Sequence, residues 1–401
     1  MRICMISTRH SLDDARVIHK ESKSLKAAGH EVILLFSCNS NYEYSSFDGT
    51  VITKGKAPNG ATEIHGMKVY GLPKRNGILG KIKSYFELSS FAATLKADVY
   101  HAHEPDLSLA IAIRTKKLLK KQKHQALVLH DMHEYPPGSP FDRAIGMLKY
   151  ITLYIYKFFD KHFIKNVDHI ITANSIVRGY SLALSYQKTV DIIYNGPSLK
   201  LFPQSKPPIW DKESKLILCH EGSLGFNRGL KVLVSVVHKF KNRVRLKIIG
   251  DVFGAEREWL EKEIKKLNLE EAIERTGWLP YQKVGDALRD CHIGLILFRD
   301  CMQNRLAGPP NKLFNYMNAG LPVISVDFPE MRRIIQEEKC GLLIKDQSEK
   351  AIIDTLNQIL TMPPTDIMTM GLKGQIAIKN RYSWEQMETI LLSAYEKLEK
   401  N

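Results

Sequence analysis

The sequence predicts an α/β chain built from two doubly wound, parallel-sheet domains, and three observations carry that expectation. Short, near-continuously apolar runs alternate with helix-length amphipathic stretches along most of the chain. That is the pattern of parallel strands covered on both faces. The length, 401 residues, favours two domains at roughly 150 residues each. The alternation breaks most clearly over residues 195–210, where Pro197, Pro203, Pro207 and Pro208 mark a linker.

Each element follows from the same pattern. Residues 2–7 predict a strand, residues 15–28 a helix stopped by Gly29, and residues 31–36 a second strand, together a βαβ unit. Further strands are expected at 98–102, 126–130, 169–173 and 190–194, with helices at 107–121 and 143–164. Beyond the linker, strands are expected at 215–220, 246–250, 272–276, 293–298 and 322–325. The helices between and after them fall at 230–240, 255–267, 284–291 and 312–318. Two such domains in succession place a ligand crevice between them, at the carboxyl ends of the strands.

Composition narrows the function classes. With 44% hydrophobic and 25% charged residues the chain is an ordinary folded protein rather than a disordered one. The net charge of +15 attracts polyanions: nucleic acid, anionic lipid or phosphorylated substrates. No nucleic-acid recognition motif accompanies it, so nucleic acid is not an expected partner. The six cysteines show no C-x-x-C spacing, which argues against a structural zinc or dithiol site and for reduced thiols. Residues 1–36 lack the features of a signal peptide. The apolar stretch 145–164 is interrupted by Lys149, Lys157, Asp160 and Lys161 and does not read as a spanning helix. The expected location is cytoplasmic, or peripheral at the inner face of a membrane. Residues 145–165 are apolar, aromatic and basic, and 114–123 add six Lys or Arg. Such segments suit an anionic membrane surface, although a core helix with lysines on its wet edge has the same sequence.

Candidate chemistry sits at predicted strand ends. The loop 221–229 follows a strand and opens a helix. Its backbone amides around Gly222 and Ser223, with the planar fork of Arg228, suit a diphosphate. A second helix start at Pro310 presents Asn311 and Lys312, with Asn315 one turn on. In the first half, His101, His103, Glu104 and Asp106 follow one strand, and His130, Asp131, His133 and Glu134 follow another. These groups read either as reactive side chains or as satisfied structural histidines. No zinc spacing such as H-E-x-x-H is present, so no metal is expected.

Taken in order, these pieces carry a resemblance. Gly222 with Arg228-Gly229, then Gly250-Asp251, then Gly277 to Pro280, then the run from Pro310 through Gly320 to Ile324, then Tyr382-Ser383-Trp384, resemble family 4 of the retaining glycosyltransferases, with the GT-B fold. The stretches 13–17, 28–32, 100–103 and 130–134 are similar to that family's N-terminal landmarks. The resemblance implies two Rossmann-like domains facing a central cleft: an acceptor domain, 1–197, a donor domain, 198–378, and a C-terminal helix, 379–401, crossing back to the first. It implies sugar transfer from a nucleoside-diphosphate sugar with retention at the anomeric carbon, without cofactor or essential metal. The acceptor would be a glycan or lipid-linked saccharide, in cell-surface polysaccharide synthesis. Donor contacts would fall on Gly222, Ser223, Arg228, Gly250, Asp251, Leu279, Pro310, Asn311, Lys312 and Asn315. The active-site histidine matches His133, with His130 and His103 as rivals.

The match has departures. Ser223 stands where the family has an arginine, and Arg228 where it has a lysine. The family's two glutamates, with seven residues between them, are Ala307 and Asn315 here. Two other functions therefore stay open: a GT-B epimerase acting on a UDP-sugar, and a catalytically silent nucleotide-sugar-binding protein.

Overall fold

The computed structural model describes residues 1–400 apart from 46–49, 56–59, 74, 76 and 105. The chain divides into two compact units, Met1–Tyr194 with Met387–Asn401, and Asn195–Gln386.

The first unit opens with β1 (Arg2–Ser7), α1 (Lys23–Ala27) and β2 (Glu31–Cys38). Four short strands follow: β3 (Glu43–Ser45), β4 (Val51–Lys54), β5 (Thr62–Ile64) and β6 (Met67–Pro73). Then come α2 (Gly77–Thr94), β7 (Val99–His103), α3 (Leu107–Lys121), β8 (Leu127–Met132), α4 (Gly138–Arg143), α5 (Leu148–Ile164), β9 (His169–Thr172), α6 (Ser175–Leu184) and β10 (Val190–Ile192). Eight strands form one sheet in the order β10-β9-β8-β7-β1-β2-β6-β5, parallel except for the β5 edge, while β3 and β4 pair as a separate ribbon. Ile3 through Ile6 are fully buried, as a central strand covered on both faces requires. The chain steps rightward in this order from β1 to β2, and leftward from β6 to β7 and on to β8, β9 and β10. Right-handed crossovers therefore put α2, α3, α5 and α6 on one face and α1 on the other.

The second unit carries β11 (Leu216–Glu221), α7 (Leu230–Lys239), β12 (Val244–Ile249), α8 (Gly254–Leu267), β13 (Ile273–Arg275), α9 (Tyr281–Leu288), β14 (Ile293–Ile296), α10 (Met302–Leu306), α11 (Asn311–Ala319), β15 (Val323–Val326), α12 (Pro329–Glu338), β16 (Gly341–Ile344), α13 (Glu349–Thr361) and α14 (Pro364–Ala377). Its sheet is parallel throughout, in the order β13-β12-β11-β14-β15-β16. The last helix, α15 (Trp384–Glu399), starts in this unit and from Met387 belongs to the first.

Several elements differ from the sequence expectation for physical reasons. The helix expected over 15–28 opens instead as a π-helical stretch, Val17–Ser22, before α1. The Asp14 carboxylate accepts from the amides of Arg16 and Val17, and the His19 amide reaches the Asp14 carbonyl. The wider turn brings Arg16, Lys20 and Glu21 into the interior. The helical segments expected over 143–164 are the end of α4 and the whole of α5, separated where Ala144 is extended and Gly146 takes φ +56°. β7 and β8 end later than expected, at His103 and Met132, so His103 and Asp131 join His101 and His130 within the strands. Pro310 sits one place outside α11, as its N-cap, with Asn311 first in the helix.

In the second unit, the ends of β11 and β12 approach closely through glycine. Gly250 has φ +141°, and a Cβ there would lie 2.3 Å from the Gly222 carbonyl oxygen. Gly250→Ala is therefore expected to cost about 2–4 kcal/mol, from backbone strain plus a clash that cannot relax. Denaturant unfolding checks this; a loss below about 1 kcal/mol would mean that the two turns can separate freely.

Candidate functional site

In the first unit the carboxyl ends of β1, β7 and β8 gather a buried charged cluster. Arg16 and Asp131 are both buried, with Nη2 to Oδ1 at 2.9 Å and Nε to Oδ2 at 3.1 Å. Arg16 also pairs with Glu21 at 2.8 Å and donates to the Ile193 carbonyl at 2.6 Å. Burial and the neighbouring Asp131 push the Glu21 carboxyl up to about 8. Burial pushes Asp131 up as well, but Arg16 and His133 outweigh it and hold the group well below the usual carboxylate range. Asp131 is thus an anion between two cations.

His133 is the second cation. Its Nε2 lies 2.8 Å from Asp131 Oδ2 and its Nδ1 3.8 Å from Glu104 Oε1. Burial alone would lower the imidazole, yet Asp131 raises it to about 9. At neutral pH such a ring donates two hydrogen bonds and accepts none, so it is a donor and not a general base. Glu104, at φ +72°, holds its amide to the Asp131 carbonyl at 2.9 Å. His10 completes the group, 4.7 Å from His133 between ring centroids, with Nδ1 against Asp14 Oδ2 at 2.9 Å. His10, Asp14 and Glu104 line a cavity of about 560 Å³ together with Ser37, Asn39 and Glu134.

The rival histidines have other surroundings. His103 is fully buried, stacked on His101 at 4.3 Å, with Nδ1 3.4 Å from Asp131 Oδ2; burial lowers it to about 4. His130 points elsewhere, its Nδ1 3.3 Å from the Ala102 carbonyl, and burial lowers it to about 4 as well. His101 is tied by Nδ1 to the Tyr395 hydroxyl of α15 at 2.9 Å. Two sets in this cluster, Glu21-His101-His103-Asp131 and His10-Glu104-His133, lie close enough to share a metal ion. Arg16 and the imidazolium of His133 already supply positive charge there.

In the second unit the expected donor residues meet where β11 ends. The strand runs one residue further than expected and includes Glu221. Gly222, at φ +84°, turns the chain; the Arg228 guanidinium donates to the Ser223 carbonyl; Gly229, at φ +83°, opens α7. Lys312, in the first turn of α11, is buried with Nζ 3.0 Å from His220 Nε2. Burial and the nearby Arg228 lower Lys312 to about 7, against the opposing pull of Glu221. Burial, with Lys312 adding to it, takes His220 well below its ordinary value, so the lysine faces a neutral ring. Asn315 is buried and donates its amide to Glu221 Oε1 at 2.8 Å, while the Tyr316 hydroxyl accepts the Glu221 amide at 2.7 Å.

The remaining candidates stand on other segments of the second unit. Asp251 is engaged by Arg257 through an ion pair, and its carbonyl accepts the Leu224 amide. Asn311 is exposed at the start of α11, Ala307 caps α10, and Leu279 lies on the loop between β13 and α9. Sequence reasoning missed Glu221 and His10. One signal was available for each: both fall at the carboxyl end of a strand already recognised.

Two family matches divide the chain between them. Residues 15–200 match the family described as Glycosyltransferase Family 4, and residues 204–369 match Glycosyl transferases group 1. The chain belongs to this glycosyltransferase family. The chain is 32% identical over 100 residues to the UDP-glycosyltransferase TURAN of Arabidopsis thaliana, covering 24% of this chain and 20% of that protein. It is 20% identical over 197 residues to the putative colanic acid biosynthesis glycosyltransferase WcaL of Escherichia coli, covering 48% of each. The chain thus spans about half or less of the length of the curated relatives it matches. The Anabaena protein HepE, solved with UDP and glucose, superposes with a TM-score of 0.70 at 12% identity, over 99% of both chains. The two doubly wound units are those of the GT-B fold.

The buried group of Arg16, Asp131 and His133 has a pH consequence. His133 is raised above its ordinary value of ~6.5, so its pairing stabilises fully below that pH and is lost as pH rises through about 9. Asp131→Asn is expected to drop the His133 midpoint, followed by imidazole NMR, to below its ordinary value. It should also destabilise the protein by about 3–5 kcal/mol, because Arg16 and His133 lose the buried carboxylate between them. An unchanged His133 midpoint would remove Asp131 as the cause.

Proposed function

We propose that this glycosyltransferase takes a sugar from a UDP-sugar and transfers it with retention to a glycan or lipid-linked saccharide in cell-surface polysaccharide synthesis. The carrying observation is the pair of basic side chains Arg228 and Lys312 at the end of β11: Arg228 donates to the Ser223 carbonyl, Lys312 Nζ lies 3.0 Å from His220 Nε2, and the arginine is near enough to lower the lysine. Their repulsion is relieved by an anion, and a diphosphate held also by the amides after Gly222 has the charge and the size. On this reading the two side chains, not a metal ion, neutralise the leaving diphosphate. Asn315 orients Glu221 through their 2.8 Å bond, so the carboxylate that receives the ribose hydroxyls comes from β11. The names of TURAN, WcaL and HepE support the UDP donor and the polysaccharide setting. The departing phosphate oxygen takes the acceptor proton, so no protein base is required, in keeping with a His133 that only donates.

Calorimetry with UDP tests the donor site. Arg228→Ala and Lys312→Ala are each expected to weaken binding tenfold or more, about 1.5–3 kcal/mol for a hydrogen bond to a charged group. Lys312 is largely neutral at pH 8 and its pKa rises when an anion binds. Binding at that pH should therefore take up protons, approaching one per UDP, and affinity should fall as pH rises above about 7. Full affinity in both variants would sink the assignment.

Turnover tests the reaction. His133→Ala should lower kcat and kcat/KM together while leaving UDP affinity near wild type, since its contact serves the reacting sugar. The product anomer, read by NMR, should match the donor; an inverted product overturns retention. Release of UDP with no acceptor present would favour the epimerase. Tight UDP binding with no turnover of any donor would favour a silent binder, the reading that Ala307 in place of a glutamate keeps open.

A further inference from the structure

We infer that the helix-covered face of the first unit is a docking surface for an anionic lipid bilayer. This rests on surface chemistry and not on the donor reading.

The observation begins with α5. Within this 17-residue helix only Asp160 and Ile164 are buried. Tyr154 and Phe158 are 74% and 62% exposed, and Leu148, Ile151, Ile155 and Phe159 are exposed as well. Helical spacing sets Ile151, Ile155 and Phe158 along one strip, with Tyr150, Tyr154, Lys157 and Lys161 along the strip beside it. An apolar strip edged by tyrosine and lysine is the profile of a helix lying in a membrane interface. Helix α2, which packs on α3, repeats the apolar exposure: Leu79 is 82% exposed, with Ile78, Ile82 and Phe86 also exposed. Right-handed crossovers put α2, α3 and α5 on the same side of the sheet. No described helix is long and apolar enough to cross a bilayer, so this face would lie on the membrane and not span it.

Charge selects the occupant. Helices α2, α3 and α5 carry ten Lys or Arg against two carboxylates. The carboxylates offset little of this. Asp160 is turned inward, where it accepts from the Tyr180 hydroxyl at 2.5 Å, and Glu87 is shared between Arg75 at 2.7 Å and Lys83 at 3.8 Å. Lys116 is paired with Asp168 at 2.6 Å. Lys117, Lys120, Lys121, Lys157 and Lys161 are exposed. A second copy of this chain laid on the face by a twofold would set lysine against lysine, which costs energy. A bilayer with anionic headgroups supplies the opposite charge and an apolar interior in the same layer.

The experiment is vesicle sedimentation of the full chain, with phosphatidylcholine alone or mixed with phosphatidylglycerol, across a salt series. The wild type is expected to sediment with the anionic vesicles, less as salt rises, because exposed charges are screened within ~8 Å at physiological ionic strength. Ile155→Ser with Phe158→Ser, and separately Lys157→Glu with Lys161→Glu, should each weaken vesicle binding about tenfold. All four side chains are exposed, so the melting temperature should not move, and the charge-reversed pair keeps the test informative if the serine pair misfolds. No sedimentation at low salt overturns the inference. So does vesicle binding unaffected by either pair. If light scattering instead finds a dimer that the serine pair dissociates, the face belongs to a second copy and the inference fails.

Discussion

Asp131 is a carboxylate with no exposure to water, and the geometry of the first unit follows from keeping it charged. Burying an ion costs several kcal/mol unless partners surround it. Here the partners are Arg16, delivered by the π-helical stretch before α1, and His133, just beyond β8. Because Arg16 also reaches the Ile193 carbonyl, one guanidinium ties the segment after β1 to β8 and to the chain beyond β10. His133 is fixed in turn, and His10 and Glu104 take their places around it. Removing any member strands the others, which is why so many titratable groups tolerate a common site.

The second unit uses charge in the opposite way. Its two cations, Arg228 and Lys312, lie close enough to depress the lysine, and the group Lys312 touches is a neutral imidazole. The first cluster is closed on itself by a carboxylate between cations. The second keeps an unspent positive potential at a helix start. The close approach of Gly222 and Gly250 holds the adjoining turns in that position.

How much of this was legible in the sequence depended on whether the deciding force was local. The buried parallel strands were legible because their apolar runs are uninterrupted, and the stops at Gly29 and Gly320 because glycine accepts positive φ. The region between β2 and β7 was not: β3 to β5 are three or four residues long and lack a clear period, and the longer β6 and α2 went unanticipated with them. β16 was missed for the same reason. The π-helical stretch depends on where the Asp14 side chain points, which no periodicity encodes. The ambiguity between His130 and His133 arose because the family's pattern fits this stretch in two registers. Strand alternation separates them, since His130 shares a face with Met132 and Asp131 opposes it. At the donor loop, Arg228 and Lys312 were found from their helix starts. Glu221 was lost because the strand was ended one residue early.

The return of α15 gives the first unit a discontinuous sequence. Leu391, Ala394, Tyr395 and Leu398 are all buried there, and Tyr395 supplies the partner of His101. During synthesis the first 194 residues leave the ribosome long before this helix exists. Until then the unit made first lacks part of its interior, while the unit made second, Asn195–Gln386, is already whole. The order of completion thus runs against the order of synthesis, and an isolated N-terminal fragment ending near Tyr194 would keep an apolar seam that only the distant helix can cover.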